Sequence, residues 1–492
     1  MAEVVLLTGL AVTNRLYRSI SGAQLGWWLR KHEYDVQVID FFCQLTDNEI
    51  YQLIDKFVDK KTRVIGWGIM GTHTPMAGQI KRFVEEMMPE LRRRYPQVVF
   101  VCGGAAAQLA SKRYTNGIGF DYYMFGYAEN TLLSLCNHIF RKGPPVPFER
   151  KLGNKVIREA TVCPLSKEDT FTIKEDDHIW HDRDCILPGE SLPIEIGRGC
   201  IFRCKFCAFP HVGKKKGEYT RLIEHIEQEI VSNYERFGTT KYYLLDDTFN
   251  DDIDKIRNFR DMRQRLPFKI HVAGFCRGDL LWAHPESPYI LEEAGMIGTY
   301  FGIETFNETA AKFVGKPWSN THAQDYLVKL RHEIWKEHVS FRCSMIIGLP
   351  YDTRKDYIRW HRWFVENEIP NWSWHPLHLE RDLRAQNNSA IDRDAENYGY
   401  TWITENSRVM WKHKETGMTW RDAEQLYNEF EALKAPYQVE NCFGLIEEFN
   451  YMPADTDPLD HNFTKVQYSV TAELSEKRRN FLNQYTKNLL AL

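Results

Sequence analysis

The stretch "GRGCIFRCKFCAFP", residues 197–210, carries Cys200, Cys204 and Cys207, separated by three and then two residues. It follows a short apolar run, Pro193–Ile196, that reads as a strand, so the thiols fall on the loop that leaves it. A zinc site of the structural kind takes four ligands, often from paired Cys-x2-Cys motifs. The sequence holds no second Cys-x2-Cys and no His-x3-His. A disulfide does not need three cysteines and is disfavoured in a reducing compartment. A [4Fe–4S] cluster usually takes four thiolates. With three, one iron stays open to a ligand that the protein does not supply.

Strand and helix alternate on the carboxyl side of this loop. Strands are expected at Pro193–Ile196, Lys241–Leu245, Lys269–Ala273, Gly298–Ile303, Ser340–Ile347 and Trp372–Leu377. Six strands between Ser191 and Leu379 are too few for an eight-stranded barrel and predict an open, partial one. The amino-terminal 141 residues show the same rhythm, with strands expected at Glu3–Leu7, Asp35–Asp40, Arg63–Ile69, Val98–Cys102 and Asp121–Phe125. Helices are expected between them, at Ser21–Lys31, Asp47–Lys60, Met76–Arg93, Ala105–Arg113 and Glu129–Arg141. That pattern predicts a doubly wound parallel sheet, whose ligands sit beyond the carboxyl ends of the strands. The loops there, "TGLAVTN", "MGTHTP", "CGGAAA" and "GYAEN", are rich in small residues that let a flat ligand approach the backbone. Residues 142–190, opening on "GPPVPF", read as a linker. Residues 380–492 read as a helical cap, with helices at Trp420–Lys434 and Thr471–Leu490. Its aromatics Trp402, Trp411, Trp420 and Tyr427 read as core packing or the lining of a pocket.

The 492 residues are 26% charged and 43% hydrophobic with a net charge of −4, which gives little support to a nucleic-acid partner. The basic runs Lys214–Lys216 and Arg92–Arg94 are short and read as solvated surface. No apolar run reaches the roughly 18 residues that a membrane helix needs. The opening segment lacks the leading positive charge of a signal peptide, which predicts a cytoplasmic protein without a membrane partner. Outside the cluster of three, eight of the eleven cysteines are scattered, as buried small hydrophobes are.

A Cys-x3-Cys-x2-Cys loop after the first strand of a partial barrel resembles the radical S-adenosylmethionine (SAM) superfamily, and the aromatic Phe206 inside it strengthens the likeness. The resemblance implies that Cys200, Cys204 and Cys207 hold a [4Fe–4S] cluster whose open iron binds SAM, and that Phe206 packs near the adenine. Four later stretches resemble further strands of the family, in order. "YYLLDDTFND" (242–251) would offer Asp246 or Asp247 to the SAM ammonium, although it departs from the family's Gly-Gly-Glu form. "GFCRGDLL" (274–281) would offer Arg277 to the SAM carboxylate. In "GTYFGIET" (298–305), Glu304 would accept the ribose hydroxyls. In "SMIIGLPYDT" (344–353), the backbone about Ile346 and Gly348 would flank the adenine.

A doubly wound, flavodoxin-like domain ahead of such a barrel resembles the cobalamin (B12)-binding radical SAM proteins. The likeness rests on "GAQLGWWLRKHEYDVQVIDF" (22–41), on the Gly103-Gly104 turn, and on Gly126-Tyr127-Ala128-Glu129 in place of Gly-Glu-x-Glu. It implies cobalamin contacts at Gly71, Thr72, His73, Gly103, Gly104, Gly126 and Glu129. The Asp-x-His-x-x-Gly motif that supplies a cobalt-ligating histidine is replaced by Asp40-Phe41-Phe42-Cys43-Gln44-Leu45, which leaves His73 as the candidate near cobalt. The implied chemistry is methylation of an unactivated carbon through a 5′-deoxyadenosyl radical, fed by an external electron donor such as flavodoxin or ferredoxin. The substrate would be a small molecule, a peptide or a modified nucleobase. One alternative is a cobalamin-free enzyme, such as a peptide epimerase, with Cys442 or Cys343 as hydrogen donor. Another is a non-catalytic protein that keeps its cluster as a structural element.

Overall fold

The computed structural model describes residues 1–10, 16–70, 74–104, 107, 110, 119–124, 126–142, 151–152, 155–156, 161–163, 173–209, 213–316, 318, 320–379, 389–405, 408–433, 442–451 and 472–492. The chain forms two compact units, residues 1–193 with 228–239 and 470–492, and residues 194–227 with 240–469.

The first unit is built on short runs of valine, isoleucine and leucine, the composition of strands buried on both faces. They form β1 (Val4–Leu10), β2 (Val36–Ile39), β3 (Val64–Met70), β4 (Val99–Gly103) and β5 (Tyr122–Met124). A sixth strand, β6 (Thr161–Cys163), comes from the segment read as a linker. The sheet runs β2-β1-β3-β4-β5-β6 and every pairing is parallel. The order of strand addition reverses between β1 and β3, the crevice where open α/β sheets bind ligands. The expected helices stand at Ile20–Lys31, Asp47–Phe57 and Glu129–Ile139, and a fourth, between the last two, runs from Thr74 through a π segment to Arg94. Thr46 starts the second by accepting the Glu49 N–H, while the Glu49 carboxylate accepts the Thr46 N–H. Most of the helix expected at Ala105–Arg113 lies outside the described residues.

A buried charge ties distant parts of this unit together. Arg18 donates from Nε and Nη2 to the two carboxylate oxygens of Glu190, at 2.6 and 3.0 Å. It also donates to the carbonyls of Asp184 and Cys185, at 3.0 and 3.1 Å. Its guanidinium lies 5.1 Å from the Phe41 ring and 5.0 Å from that of Tyr485, on the terminal helix Ala472–Ala491. The Asp40 N–H donates to Tyr485 Oη at 2.8 Å. The terminal helix is thereby locked to the loop after β2.

The second unit holds β7 (Leu192–Glu195), β8 (Lys241–Leu245), β9 (His271–Cys276), β10 (Met296–Glu304), β11 (Ser340–Ile347) and β12 (Asn371–Pro376). They pair in chain order, parallel from β8 to β12, with helices between, as an open six-stranded barrel sheet does. Helix Cys442–Glu448 packs against β8 to β11. The carboxyl-terminal part holds helices, as expected, and also an antiparallel hairpin, β13 (Tyr400–Glu405) with β14 (Arg408–His413), in which Trp402 faces Trp411. No helix among the described residues is long and apolar enough to cross a membrane.

Arg18 and Glu190 are both 1% exposed at the side chain. Removing one partner strands the other's charge in the interior, so Arg18→Met should cost about 3–5 kcal/mol of stability. Urea denaturation of the full chain measures this, and the double variant Arg18→Met/Glu190→Met should recover most of the loss.

Candidate functional site

The cysteine loop leaves β7 and returns on itself. Gly197 and Thr220 close it with an antiparallel bridge. Inside it, the Gly213 N–H donates to Phe202 O at 2.9 Å and the Lys214 N–H to Cys200 O at 3.0 Å. The Lys205 N–H donates to Val314 O at 3.1 Å and fastens the middle of the loop to the helix after β10. All three thiols line one cleft at the carboxyl ends of β8 to β11. The cleft has a volume of about 230 Å³ and stands partly open to solvent. No group of three or more His, Cys, Asp or Glu side chains among the described residues converges on one point as ligands of a single ion would. A cluster asks for something else, because each thiolate takes a separate iron. Burial raises the pKa of Cys200, and pushes that of Cys207 up to about 11.

The carboxylates after β8 divide between interior and cleft. Asp246 is fully buried and paired with Lys255 Nζ at 2.8 Å, and its Oδ1 accepts the Thr248 N–H at 2.9 Å. Lys255 also reaches Asp251 at 2.6 Å. Asp251 in turn accepts the Tyr219 hydroxyl. Asp247 lines the cleft. Desolvation at the cleft wall, and then repulsion from Asp246, push its carboxyl up to about 7. Thr248 Oγ1 lies 3.5 Å from Cys200 Sγ.

Arg277, at the end of β9, is fixed from both sides. Its N–H donates to Asn250 Oδ1 at 2.8 Å and its carbonyl accepts from Asn250 Nδ2 at 2.9 Å. The guanidinium forks onto Asp279, at 3.0 and 2.6 Å, and stacks 3.8 Å from the centre of the Phe202 ring. Nη1 points to Cys204 Sγ at 3.5 Å. The sequence suggests a partner for a ligand carboxylate, but the structure shows this fork already occupied by Asp279 and its free edge turned to a thiol.

Glu304 closes β10 in a left-handed conformation, φ 68°, after a register shift at Gly302. Its Oε1 accepts from Lys316 Nζ at 2.7 Å, which also donates to Gly302 O at 2.6 Å. A Cβ on Gly302 would come within 2.4 Å of that oxygen and 2.6 Å of that nitrogen, so a larger residue there would push the pair aside. Lys316 Nζ lies 5.7 Å from the centre of the Phe206 ring. Phe206, Glu304 and Lys316 all line the cleft, as do Cys276, Tyr300 and Ser344. Sequence reasoning missed the last three and Lys316. Alternation along the strands could have found Tyr300 and Ser344.

Other expected residues lie elsewhere. The Gly348 N–H donates to Tyr357 Oη and its carbonyl accepts the Tyr400 hydroxyl, both at 2.8 Å, and Trp411 covers its α-carbon. Neither Gly348 nor Ile346 lines the cleft. Cys343 alternates to the face opposite Ser344 and is fully buried, with its thiol pKa raised by burial. The Cys442 side chain lies outside the described residues. In the first unit, Gly71, Thr72 and His73 also lie outside them. Gly104 has φ 87°, and a Cβ there would meet Ile69 O at 2.5 Å, whereas a Cβ on Gly103 would meet nothing within 4 Å. The carboxyl end of β4 therefore offers bare backbone. Phe42, where a ligating histidine would stand, is fully buried against Trp67 and Phe83, with ring centroids 5.0 and 5.3 Å away.

Residues 194–364 match the family model of the radical SAM superfamily and residues 22–135 that of the B12 binding domain. The chain thus carries a radical SAM domain and, ahead of it, a B12 binding domain. Its fold is similar to that of TsrM from Kitasatospora setae, a radical S-adenosylmethionine methyltransferase solved with cobalamin and a [4Fe–4S] cluster bound. That likeness has a TM-score of 0.64 at 16% identity, over 98% of this chain and 100% of that one. A TsrM structure with tryptophan substrate and a SAM analogue gives 0.67 at the same identity and coverage. OxsB, a cobalamin-dependent S-adenosylmethionine radical enzyme solved with aqua-cobalamin and SAM, gives 0.57 at 12% identity, over 100% of this chain and 79% of that one. At these identities the likeness is one of fold. No curated protein matches the chain.

The two neighbouring aspartates should separate in a stability measurement. Lys255→Met leaves buried Asp246 and Asp251 without their cation and should cost about 3–5 kcal/mol. Asp247→Asn, at the cleft wall, should change stability by less than about 1 kcal/mol. Urea midpoints of the two variants against the parent chain make the comparison.

Proposed function

We propose that this chain is a cobalamin-dependent radical SAM enzyme that methylates an unactivated carbon of its substrate, drawing electrons from an external carrier such as flavodoxin or ferredoxin. One observation carries the reading. The three thiols of a Cys-x3-Cys-x2-Cys loop line a single cleft at the carboxyl edge of a parallel sheet, in a chain that also matches a B12 binding domain. The likeness to TsrM and OxsB supports it, since both proteins are solved with cobalamin.

The residues present fit the groups that this reading needs. Three thiols suit three irons of a [4Fe–4S] cluster and leave the fourth for SAM. When bound, the cluster and SAM supply a carbon-centred radical and the corrin a transferable methyl group. The chain's own side chains position and shield. Asp247 stands at the wall to take an ammonium group in a charge-assisted hydrogen bond. Glu304, steadied by Lys316, accepts ribose hydroxyls, and Phe206 offers a face to adenine. Arg277, committed to Asp279, serves the thiolate of Cys204 rather than a ligand carboxylate. In the first unit, Gly103, Gly104, Gly126 and Glu129 would bear on the corrin, and Gly71, Thr72 and His73 are the further contacts that the sequence suggests. Phe42 is turned into the core, so the loop after β2 offers cobalt no imidazole. Of the two thiols that the epimerase alternative would use as hydrogen donor, Cys343 faces away from the cleft, and the Cys442 side chain lies outside the described residues.

Anoxic reconstitution with iron and sulfide, followed by hydroxocobalamin and desalting, tests this. The chain should hold about four irons and retain corrin absorption bands. Cys200→Ala, Cys204→Ala and Cys207→Ala should each lose the cluster while keeping the corrin. Stripping iron with a chelator should abolish SAM cleavage. A chain that holds its cluster but no corrin would overturn the methyl-transfer reading.

A further inference from the structure

The inner wall of the barrel carries a cation, Arg342, that no carboxylate among the described residues neutralises. Strand alternation sets the faces. Ser344 lines the cleft, so Arg342, two residues earlier on β11, points to the same side. In the sheet register Phe275 pairs with Tyr300, and Tyr300 with Arg342, which places the three side chains in one row across β9, β10 and β11. Phe275 and Tyr300 meet edge to face with centroids 5.2 Å apart, and both line the cleft that holds the thiols. The Arg342 guanidinium lies 5.5 Å from the centre of the Tyr300 ring. Its Nε is shut from solvent with no hydrogen-bond partner, and its guanidinium meets no carboxylate among the described residues. Beside it Tyr300 Oη lies 3.1 Å from His375 Nε2, which lies 3.0 Å from Ser373 Oγ on β12.

A half-buried guanidinium without a counter-charge is costly unless an anion joins it when the site is filled. The fork of an arginine matches the two oxygens of a carboxylate. The aromatic row next to it matches an apolar body. We propose that this row is the substrate subsite, and that the substrate is a carboxylic acid with an apolar, planar body. Arg342 would take the carboxylate, and the body would lie along Tyr300 and Phe275 toward the thiols. The proposal rests on the radical SAM reading of the cleft, which places the reacting atoms at the cysteine end.

The probes are 3-phenylpropionate and its primary amide, titrated into the cluster-loaded chain and followed by saturation-transfer NMR. The acid should bind about ten-fold or more tightly than the amide. Arg342→Gln should erase that preference, and Arg342→Lys should restore part of it. Iron content and SAM binding should be unchanged in both variants, since Arg342 touches neither thiols nor Asp247. Equal binding of acid and amide by the parent chain, absence of acid binding, or a preference that survives Arg342→Gln would each overturn the subsite. Loss of iron or SAM binding in the parent chain would instead overturn the reading of the cleft, and the two failures are read separately.

Discussion

Lys255 is a single ammonium held between two carboxylates, Asp246 and Asp251, whose side chains are wholly buried. Buried charges on this scale are tolerated only when paired and hydrogen-bonded, and here the pairing organises the cleft. Asp246 fixes the turn after β8 through the Thr248 N–H, which puts Thr248 Oγ1 beside Cys200. Asp251 takes the hydroxyl of Tyr219, whose carbonyl receives the Arg198 N–H at the start of the cysteine loop. Gly197 fits because a Cβ there would stand 3.3 Å from Asp246 Oδ2 and 3.1 Å from Tyr219 O. Both ends of the thiol-bearing loop are thus tied to one charge. The doublet Asp246-Asp247 follows from this. The first carboxylate is consumed by the framework, and alternation at the strand end turns the second into the cleft.

The same economy governs the cations at the opposite wall. Arg277 and Lys316 line the cleft, yet each already has a carboxylate partner, Asp279 and Glu304. Burial works against the charge of Arg277, and its bonds to Asp279 outweigh that and raise its pKa. Such pairs keep a cleft of mixed charge rigid before any ligand arrives. They do not offer a strong empty anion site. Arg342, one row deeper, lacks any such partner among the described residues.

Much of this was legible in the sequence where chemistry and spacing are local. The cysteines fall within eight residues, and the strands read as apolar runs because parallel strands are buried on both faces. All six barrel strands stand within three residues of where the runs place them. The strand Thr161–Cys163 was not legible, being three residues long within polar sequence. Lys316 was hidden for a different reason. It reaches Glu304 only because Gly315 ends the intervening helix with φ 85° and turns the chain back. Arg277 was placed correctly at the end of its strand, but its partner Asp279, two residues on, decides what it can bind. The hairpin of Trp402 and Trp411 alternates as strands do, yet its aromatics read equally well as core of a helical cap. Trp411 packs on Gly348, which removes that glycine from the cleft.

The division of the inner wall into rows has a consequence for how the barrel would orient what it binds. In a parallel strand two residues advance about 6.6 Å. Gly302 and Ser344 form one row with Ser373, and Phe275, Tyr300 and Arg342 form the row nearer the amino ends. The row near the thiols is small and polar, and leaves room. The row below is large, aromatic and charged, and recognises. A carboxylate held at Arg342, as proposed, would set the body of its carrier across Tyr300 and Phe275. On this proposal the length of the carrier, not its charge, would decide which of its carbons reaches the thiol end of the cleft.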